Sequence, residues 1–159
     1  MAGNDRWILC TCLDERYGVH LQWAQEIIYR PQLLPLPGLE SPLAGALIWQ
    51  GRTLPVIGLR LLAGSTAAAP QPAAVIVDAA GQQAGLLVDD IGETMALPQR
   101  DLFNLSPVLT SGRPYLTQGA MLAGELVFIV DIPALLQQLR NSPGAIGAPL
   151  PQPTDTATN

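Results

Sequence analysis

Short apolar segments, each closed by a turn-forming residue, limit what this chain can fold into. Trp7–Leu13, Thr53–Ile57 and Leu126–Asp131 are examples: each has about five to seven residues, mostly apolar, and ends at or just before a glycine or an acidic residue. Segments of this length favour strands, because helices usually need ten or more residues. About nine or ten such segments occur along the chain, and they predict an all-β barrel or sandwich.

Three segments depart from this strand pattern. Gln22–Ile27 and Gly58–Leu62 each have the composition of one helical turn, whereas Ile132–Arg140 carries an apolar stripe at helical spacing. Pro133 suits the first turn of the last segment, because a proline there gives up no helical hydrogen bond. We therefore predict short helical turns and one C-terminal helix.

An internal repeat relates two parts of the chain. Gly45–Leu62 and Gly119–Leu136 both read Gly-Ala, an apolar strand, a turn with a glycine and a charge, a second apolar strand and Leu-Leu. Such a repeat is typical of two similar small barrels built from hairpins. The alternative is that any two β-hairpins look alike in sequence.

The repeat leads to predicted boundaries. We expect one subdomain over about 6–63, a second over about 73–131, and a C-terminal helix over 132–140. Segment 64–72 is rich in small residues and proline, and we expect a flexible loop there. The tail 141–159 is dominated by proline, glycine, alanine and threonine, and we expect it to be disordered.

The charge composition argues against several classes of function. The chain of 159 residues has a net charge of −5, and its eight basic residues are all arginine. Without lysine it cannot form a Schiff base or a phosphate-binding loop of the lysine type. It also lacks the broad basic face that a nucleic acid needs, so we expect no nucleic-acid partner.

The thiols and the single histidine give no catalytic or metal-binding pattern. Cys10 and Cys12 are one residue apart, a spacing that is weak for zinc, and His20 is the only histidine. Two nearby cysteines make no disulfide framework, and no signal peptide or membrane-spanning segment is recognisable. We therefore expect a cytoplasmic protein with reduced thiols and no direct membrane insertion.

The densest group of carboxylates is also an unconvincing catalytic pair. Asp89, Asp90 and Glu93 lie close in sequence, but neighbouring residues of a strand point to opposite faces. Solvated acids at a strand end explain them better than converging catalytic acids. The sequence predicts no catalytic residue, cofactor site or metal site.

Three residues near one hairpin are candidates for binding a partner. Arg52 and Arg60 flank one hairpin, and the guanidinium of either could hold a partner's carboxylate. A solvated arginine in a turn is the alternative for both. Trp49 precedes the Gly51 turn, and it is either an exposed interface anchor or a core residue.

Several segments, in one order along residues 6–140, resemble the CheW-like family of chemotaxis adaptor domains. The segments are Tyr17-Gly-Val-His-Leu, Ala24-Gln-Glu-Ile, Gly51-Arg-Thr-Leu-Pro-Val-Ile-Gly-Leu-Arg, Gly85-Leu-Leu-Val-Asp-Asp-Ile and Leu126-Val-Phe-Ile-Val-Asp. The resemblance implies an all-β fold of two SH3-like five-stranded β-barrel subdomains, with short helices and a C-terminal helix. It implies a non-catalytic adaptor that couples chemoreceptors to a chemotaxis-type histidine kinase.

The resemblance also implies partners and a place in the cell. The partners would be the regulatory domain of the kinase, the cytoplasmic tip of the chemoreceptor, and other CheW-like domains. The protein would be cytoplasmic and recruited to membrane receptor arrays. The implied partner-binding residues are Ala24, Glu26, Ile48, Trp49, Gln50, Arg52, Arg60, Val88 and Asp90.

Two positions depart from the family pattern. Gln50 stands where the family usually has an arginine near the receptor, and Gly58 stands where it usually has an aspartate. Loss of a charge-assisted contact could cost about 1.5–3 kcal/mol. Our hypothesis is a specialised adaptor in which Trp49 and Arg52 make a different, more apolar contact. A small-ligand binding or carrier barrel with no role in kinase coupling is the alternative function.

Overall fold

A computed structural model describes residues 5–110 and 112–140, so the predicted disordered tail lies outside the described residues. Among these residues, two short α-helices, α1 and α2, and short 3-10 turns accompany the strands. The strands are β1 Arg6–Cys12, β2 Glu15–His20, β3 Ala24–Tyr29, β4 Leu43–Trp49, β5 Arg52–Gly58, β6 Ala73–Ala79, β7 Gln82–Val88, β8 Asp90–Ala96, β9 Phe103–Asn104, β10 Leu116–Leu122 and β11 Glu125–Val130. The helical elements are the turn Leu21–Trp23, α1 Leu59–Leu62, the turn Gln99–Asp101 and α2 Ile132–Arg140.

The strands form two sheets. A six-stranded sheet has the order β8-β1-β2-β11-β10-β9, and a five-stranded sheet has the order β3-β6-β7-β5-β4. The prediction of a mostly β fold is confirmed, and the two sheets are consistent with two SH3-like subdomains. The sixth strand is β9, which has two residues and extends the edge of β10.

The predicted division into sequential halves is wrong. The five-stranded sheet contains β3 to β7, whereas the six-stranded sheet joins the N-terminal β1 and β2 to the C-terminal β8 to β11. Segment 64–72 therefore connects α1 to β6, within the subdomain of the five-stranded sheet, and does not separate two subdomains. The physical reason is that β2 pairs in parallel with β11, a contact between strands far apart in sequence.

The repeat nevertheless corresponds to a real similarity of topology. In each sheet the second strands of two hairpins pair in parallel. These pairs are β5 with β7 and β11 with β2. The orders β3-β6-β7-β5-β4 and β8-β1-β2-β11-β10 are thus the same arrangement built twice. The Leu-Leu pair at the end of each repeat lies in a helix, α1 after β5 and α2 after β11.

The hairpin turns follow from local chemistry. The β4–β5 turn is Gln50-Gly51, with φ of 51° and 76°, and the β6–β7 and β10–β11 turns also place a glycine second, with both φ positive. Two-residue turns of this kind match the right-handed twist of strands, and a glycine at the second position is unstrained. The predicted Gly51-Arg52 turn therefore begins one residue earlier.

The helical predictions vary in accuracy. The C-terminal helix is confirmed as α2 Ile132–Arg140, and the turn predicted at Gly58–Leu62 is α1. The segment Gln22–Ile27 is mostly strand, because β3 pairs with β6 over its whole length, and only Leu21–Trp23 is helical. Sheet pairing outweighs the helix preference of Gln25 and Glu26 there.

A shared core holds the two sheets together. The largest buried cluster includes Val19 from the six-stranded sheet, Val75 and Leu86 from the five-stranded sheet, and Leu135 from α2. Two smaller clusters fill the other face of each sheet. Each subdomain therefore has its own small core and contributes to a common one.

We expect Leu86→Ala to lower the free energy of unfolding by about 2–5 kcal/mol, since Leu86 is fully buried in the shared core. Ile48→Ala is the control, because Ile48 is 65% exposed and its truncation should cost about 0.5 kcal/mol or less. Urea denaturation of both variants measures the difference. Equal losses would contradict the shared core.

Candidate partner-binding site

Four of the predicted partner-binding residues are exposed on the β4–β5 hairpin or on the edge strand β3 that Trp49 joins to it. Ile48, Gln50 and Arg52 are exposed residues of the β4–β5 hairpin, and Glu26 is an exposed residue of β3. We call Glu26, Ile48, Gln50 and Arg52 the hairpin face. Glu26 is drawn to the hairpin because its Oε1 accepts a hydrogen bond of 2.8 Å from Trp49 Nε1.

Trp49 supports the hairpin face from below. It is only 8% exposed and packs in the core of the five-stranded sheet with Leu47 and Leu54. Of the two alternatives for Trp49, an exposed interface anchor or a core residue, the structure shows the core residue. Its indole joins β4 to β3, the two edge strands of the five-stranded sheet, so that it orients the carboxylate of Glu26.

A shallow apolar groove runs beside the hairpin face. Its volume is about 230 Å³. Ile48 on one wall is 65% exposed, and Tyr29 on the neighbouring β3 is 66% exposed. The residues that line it are Ile28, Pro31, Gln32, Leu34, Leu47 and Ile48.

The groove is shaped by the segment that follows β3. Leu34 N donates to Ala46 O at 2.7 Å, and Ala46 N donates back to Leu34 O at 3.1 Å, so this segment is fixed beside β4. Gly45 makes this approach possible, because a Cβ at that position would lie 2.9 Å from Leu34 O and its φ is 148°. Backbone hydrogen bonds therefore fix the position of the segment that forms one side of the groove.

Three other predicted residues do not join the hairpin face. Val88 is 1% exposed and belongs to the shared core, so it cannot touch a partner, and that prediction is wrong. Ala24 is half-buried and packs against the same core. Asp90 is exposed, but it begins β8 in the six-stranded sheet.

Arg60 is occupied within the chain. Its Nε and Nη2 donate to Oδ1 and Oδ2 of Asp89 at 2.7 and 2.9 Å, and its Nη1 donates to Ala67 O at 3.2 Å. The prediction that it holds a partner's carboxylate is wrong, because the carboxylate it holds is that of Asp89. Arg60 and Asp89 are 29 residues apart, so the sequence alone did not predict that they would pair.

Asp89 likewise differs from the solvated acid that the sequence predicts. Besides Arg60, its Oδ2 accepts a hydrogen bond of 2.8 Å from Leu13 N, in the turn between β1 and β2. Burial by itself would raise the pKa of Asp89, but the bonds from Arg60 and Leu13 outweigh it and hold that pKa below its ordinary range. This carboxylate therefore links the two sheets.

A second charged cluster was not foreseen from the sequence. Arg113 Nη1 donates to Glu15 Oε1 at 3.0 Å and to Tyr17 Oη at 3.2 Å, and its guanidinium lies 5.3 Å from the centre of the Phe128 ring. Tyr17 Oη also donates to Glu15. The cluster holds the loop before β10 against β2. Arg113 and Glu15 are 98 residues apart, so no local sequence motif predicts their contact.

Both cysteines, Cys10 and Cys12, are buried. Burial, first of all, raises the pKa of both Cys10 and Cys12 to about 12, so both thiols are protonated at neutral pH. Within 5–110 and 112–140, no group of three or more His, Cys, Asp or Glu side chains is placed to hold a metal ion. No helix in that part of the chain is long and apolar enough to cross a membrane.

The depressed pKa of Asp89 predicts a pH dependence of stability. Because the unfolded carboxylate takes up its proton at the higher pH, stability is lost as pH falls from the ordinary aspartate pKa of about 3.9 through the folded one. Asp89→Asn removes this contribution, so its free energy of unfolding should fall less than that of the native protein between about pH 5 and 2. Urea denaturation across this range measures both slopes, and identical slopes would contradict the pairing.

Comparison with known proteins places these features in a family. The family model described as CheW-like domain matches residues 6–140. No curated protein matches the sequence. Among solved structures, the scaffolding protein TtCheW from Thermoanaerobacter tengcongensis is 20% identical and superimposes with a TM-score of 0.73, over 80% of this chain and 84% of that one. The chain therefore belongs to the CheW-like domains, the scaffold adaptors of chemotaxis signalling.

Proposed function

We propose that this chain is a non-catalytic cytoplasmic adaptor that couples chemoreceptors to a chemotaxis-type histidine kinase and is recruited to receptor arrays. The hairpin face and its apolar groove carry the proposal. Family membership supports the kind of partner, which would be the kinase regulatory domain, the receptor tip or another CheW-like domain. The described residues support the docking surface itself.

The hairpin face has the anatomy of a protein interface. Ile48 is 65% exposed beside the apolar groove, and Glu26 and Arg52 are exposed nearby with opposite charges. Arg52 is paired with Trp49 in the strand register, so the two charged side chains lie on the side of Trp49 and that of Ile48 lies on the other side of the hairpin. Exposed apolar surface next to charged residues is typical of a surface that a partner covers. A lone exposed isoleucine would need no explanation, but one beside a groove and two charges does.

Trp49 prepares this surface before a partner arrives. The hydrogen bond from its indole fixes one oxygen of Glu26 and leaves the carboxylate exposed. A side chain that is already fixed loses less conformational entropy when the partner binds. Trp49 thus contributes to binding as a positioning residue, whereas the earlier hypothesis made it a direct contact.

Arg52 is the cation of the hairpin face, where Gln50 takes the place of the family arginine. The family arginine is replaced by Gln50, which is exposed in the turn, and Arg52 lies directly opposite Trp49 in the strand register. Arg52 has no ion-pair partner among the described residues. We infer that Arg52 supplies the cation for an acidic group of the partner, from the strand instead of the turn.

Ile48→Asp tests the docking surface. It should weaken binding to the regulatory domain of a chemotaxis-type kinase or to a chemoreceptor cytoplasmic hairpin from the same organism by at least about tenfold, since a charge would replace an apolar contact. Isothermal titration calorimetry measures both affinities. Met121→Asp is the matched control, because Met121 is 56% exposed but lies on β10 of the other sheet. Equal losses for the two variants, or none, would overturn the proposal.

Gln50→Arg tests the charge assignment. Restoring the cation that the family usually has should strengthen binding to the receptor hairpin by about ten- to a hundredfold if a carboxylate faces that turn, as a charge-assisted bond is worth about 1.5–3 kcal/mol. Arg52→Gln should weaken binding, with a loss that shrinks at high salt. An unchanged affinity for Arg52→Gln would show that Arg52 does not supply the cation.

A further inference from the structure

A larger cavity lies at the other end of β4 and β5, away from the hairpin face. Its volume is about 400 Å³, within the usual range for small-molecule sites. It lies beneath segment 64–72, between α1 and the end of β7. The side chains that form its apolar walls include those of Leu33, Leu43, Leu61, Ala69 and Leu87.

The polar residues that line the cavity are Ser65, Thr66 and the Arg60–Asp89 pair. A guanidinium has five N–H groups, and three of those of Arg60 are used on Asp89 and Ala67. Within the described part of the chain, the other two have no acceptor. The wall therefore offers hydrogen-bond donors, while Asp89 cancels the positive charge.

Segment 64–72 covers the cavity and is held at Ser65, Ala67 and Pro72. Ser65 N donates to Arg60 O at 2.8 Å, and at the far end Pro72 O accepts from Arg30 N at 2.8 Å. Between them, residues 68–71 make no backbone hydrogen bond to any other described residue. This stretch is Ala68-Ala69-Pro70-Gln71, and its two alanines line the cavity.

We propose that this cavity binds a small uncharged molecule with an aliphatic body and one hydrogen-bond-accepting carbonyl group. The aliphatic body would pack on the leucine walls, and the carbonyl oxygen would accept from the unused N–H groups of Arg60. The paired Asp89 disfavours a carboxylate head, because the two anions would repel each other. The site is independent of the hairpin face, so the scaffold would carry a small-molecule site as well as a docking surface.

Linear primary amides are suitable probes. Titration of the labelled protein with butanamide and hexanamide, followed by NMR of the methyl groups of Leu61, Leu87 and Val88, reports on the cavity directly. Each added methylene should strengthen binding about fourfold, so hexanamide should bind about sixteenfold more tightly than butanamide. Hexanoate should bind more weakly than hexanamide. Absence of saturable shifts, or tighter binding of hexanoate, would overturn the proposal.

A cavity-filling variant locates the binding. Ala69→Leu adds three carbon atoms to the half-buried wall residue and should remove the hexanamide shifts. Ala44→Leu fills the cavity from β4 and guards against a folding defect in the first variant. Ala96→Leu is the matched control, because Ala96 is exposed on β8 and does not line the cavity. Undiminished binding by folded Ala69→Leu and Ala44→Leu proteins would place the ligand elsewhere and refute the site.

Discussion

The apolar layer between the two sheets is the constraint on which the rest of the structure depends. Tyr17 and Val19 from one sheet meet Val75 and Leu86 from the other, and all are at most 1% exposed. Each sheet is too small to bury its own apolar surface completely, so the shared core stabilises both. With their inner faces committed to each other, only the outer surfaces and edges are left for partners.

The way in which each sheet manages its edges then decides where a partner can dock. In the five-stranded sheet the edge strands β3 and β4 are joined through Trp49 and Glu26, and the segment at Leu34 extends the edge of β4. Covering an edge in this way prevents unspecific strand pairing. The groups that remain exposed there are side chains, above all those of Ile48 and Arg52. Recognition by the hairpin face would therefore be specific.

Local features of this fold could be predicted from the sequence, and long-range features could not. Short apolar segments with glycine turns identified the strands, because hairpin chemistry is contained in a few neighbouring residues. The parallel pair of β2 with β11 and the contact of Arg113 with Glu15 span most of the chain, and no local pattern encodes them. The same limit applied to the candidate site: the hairpin predicted from the sequence carries the exposed Ile48, whereas the burial of Val88 depends on strands distant in sequence.

The scarcity of cations makes Arg52 important in physical terms. The chain has eight arginines and no lysine, and Arg16, Arg60 and Arg113 are paired with carboxylates of the chain itself. On the hairpin face Arg52 is the one cation, and it is exposed. With a net charge of −5, the protein repels acidic partners at long range. An acidic group can therefore be held there only through a short-range contact, and Arg52, exposed at the start of β5, can supply that contact.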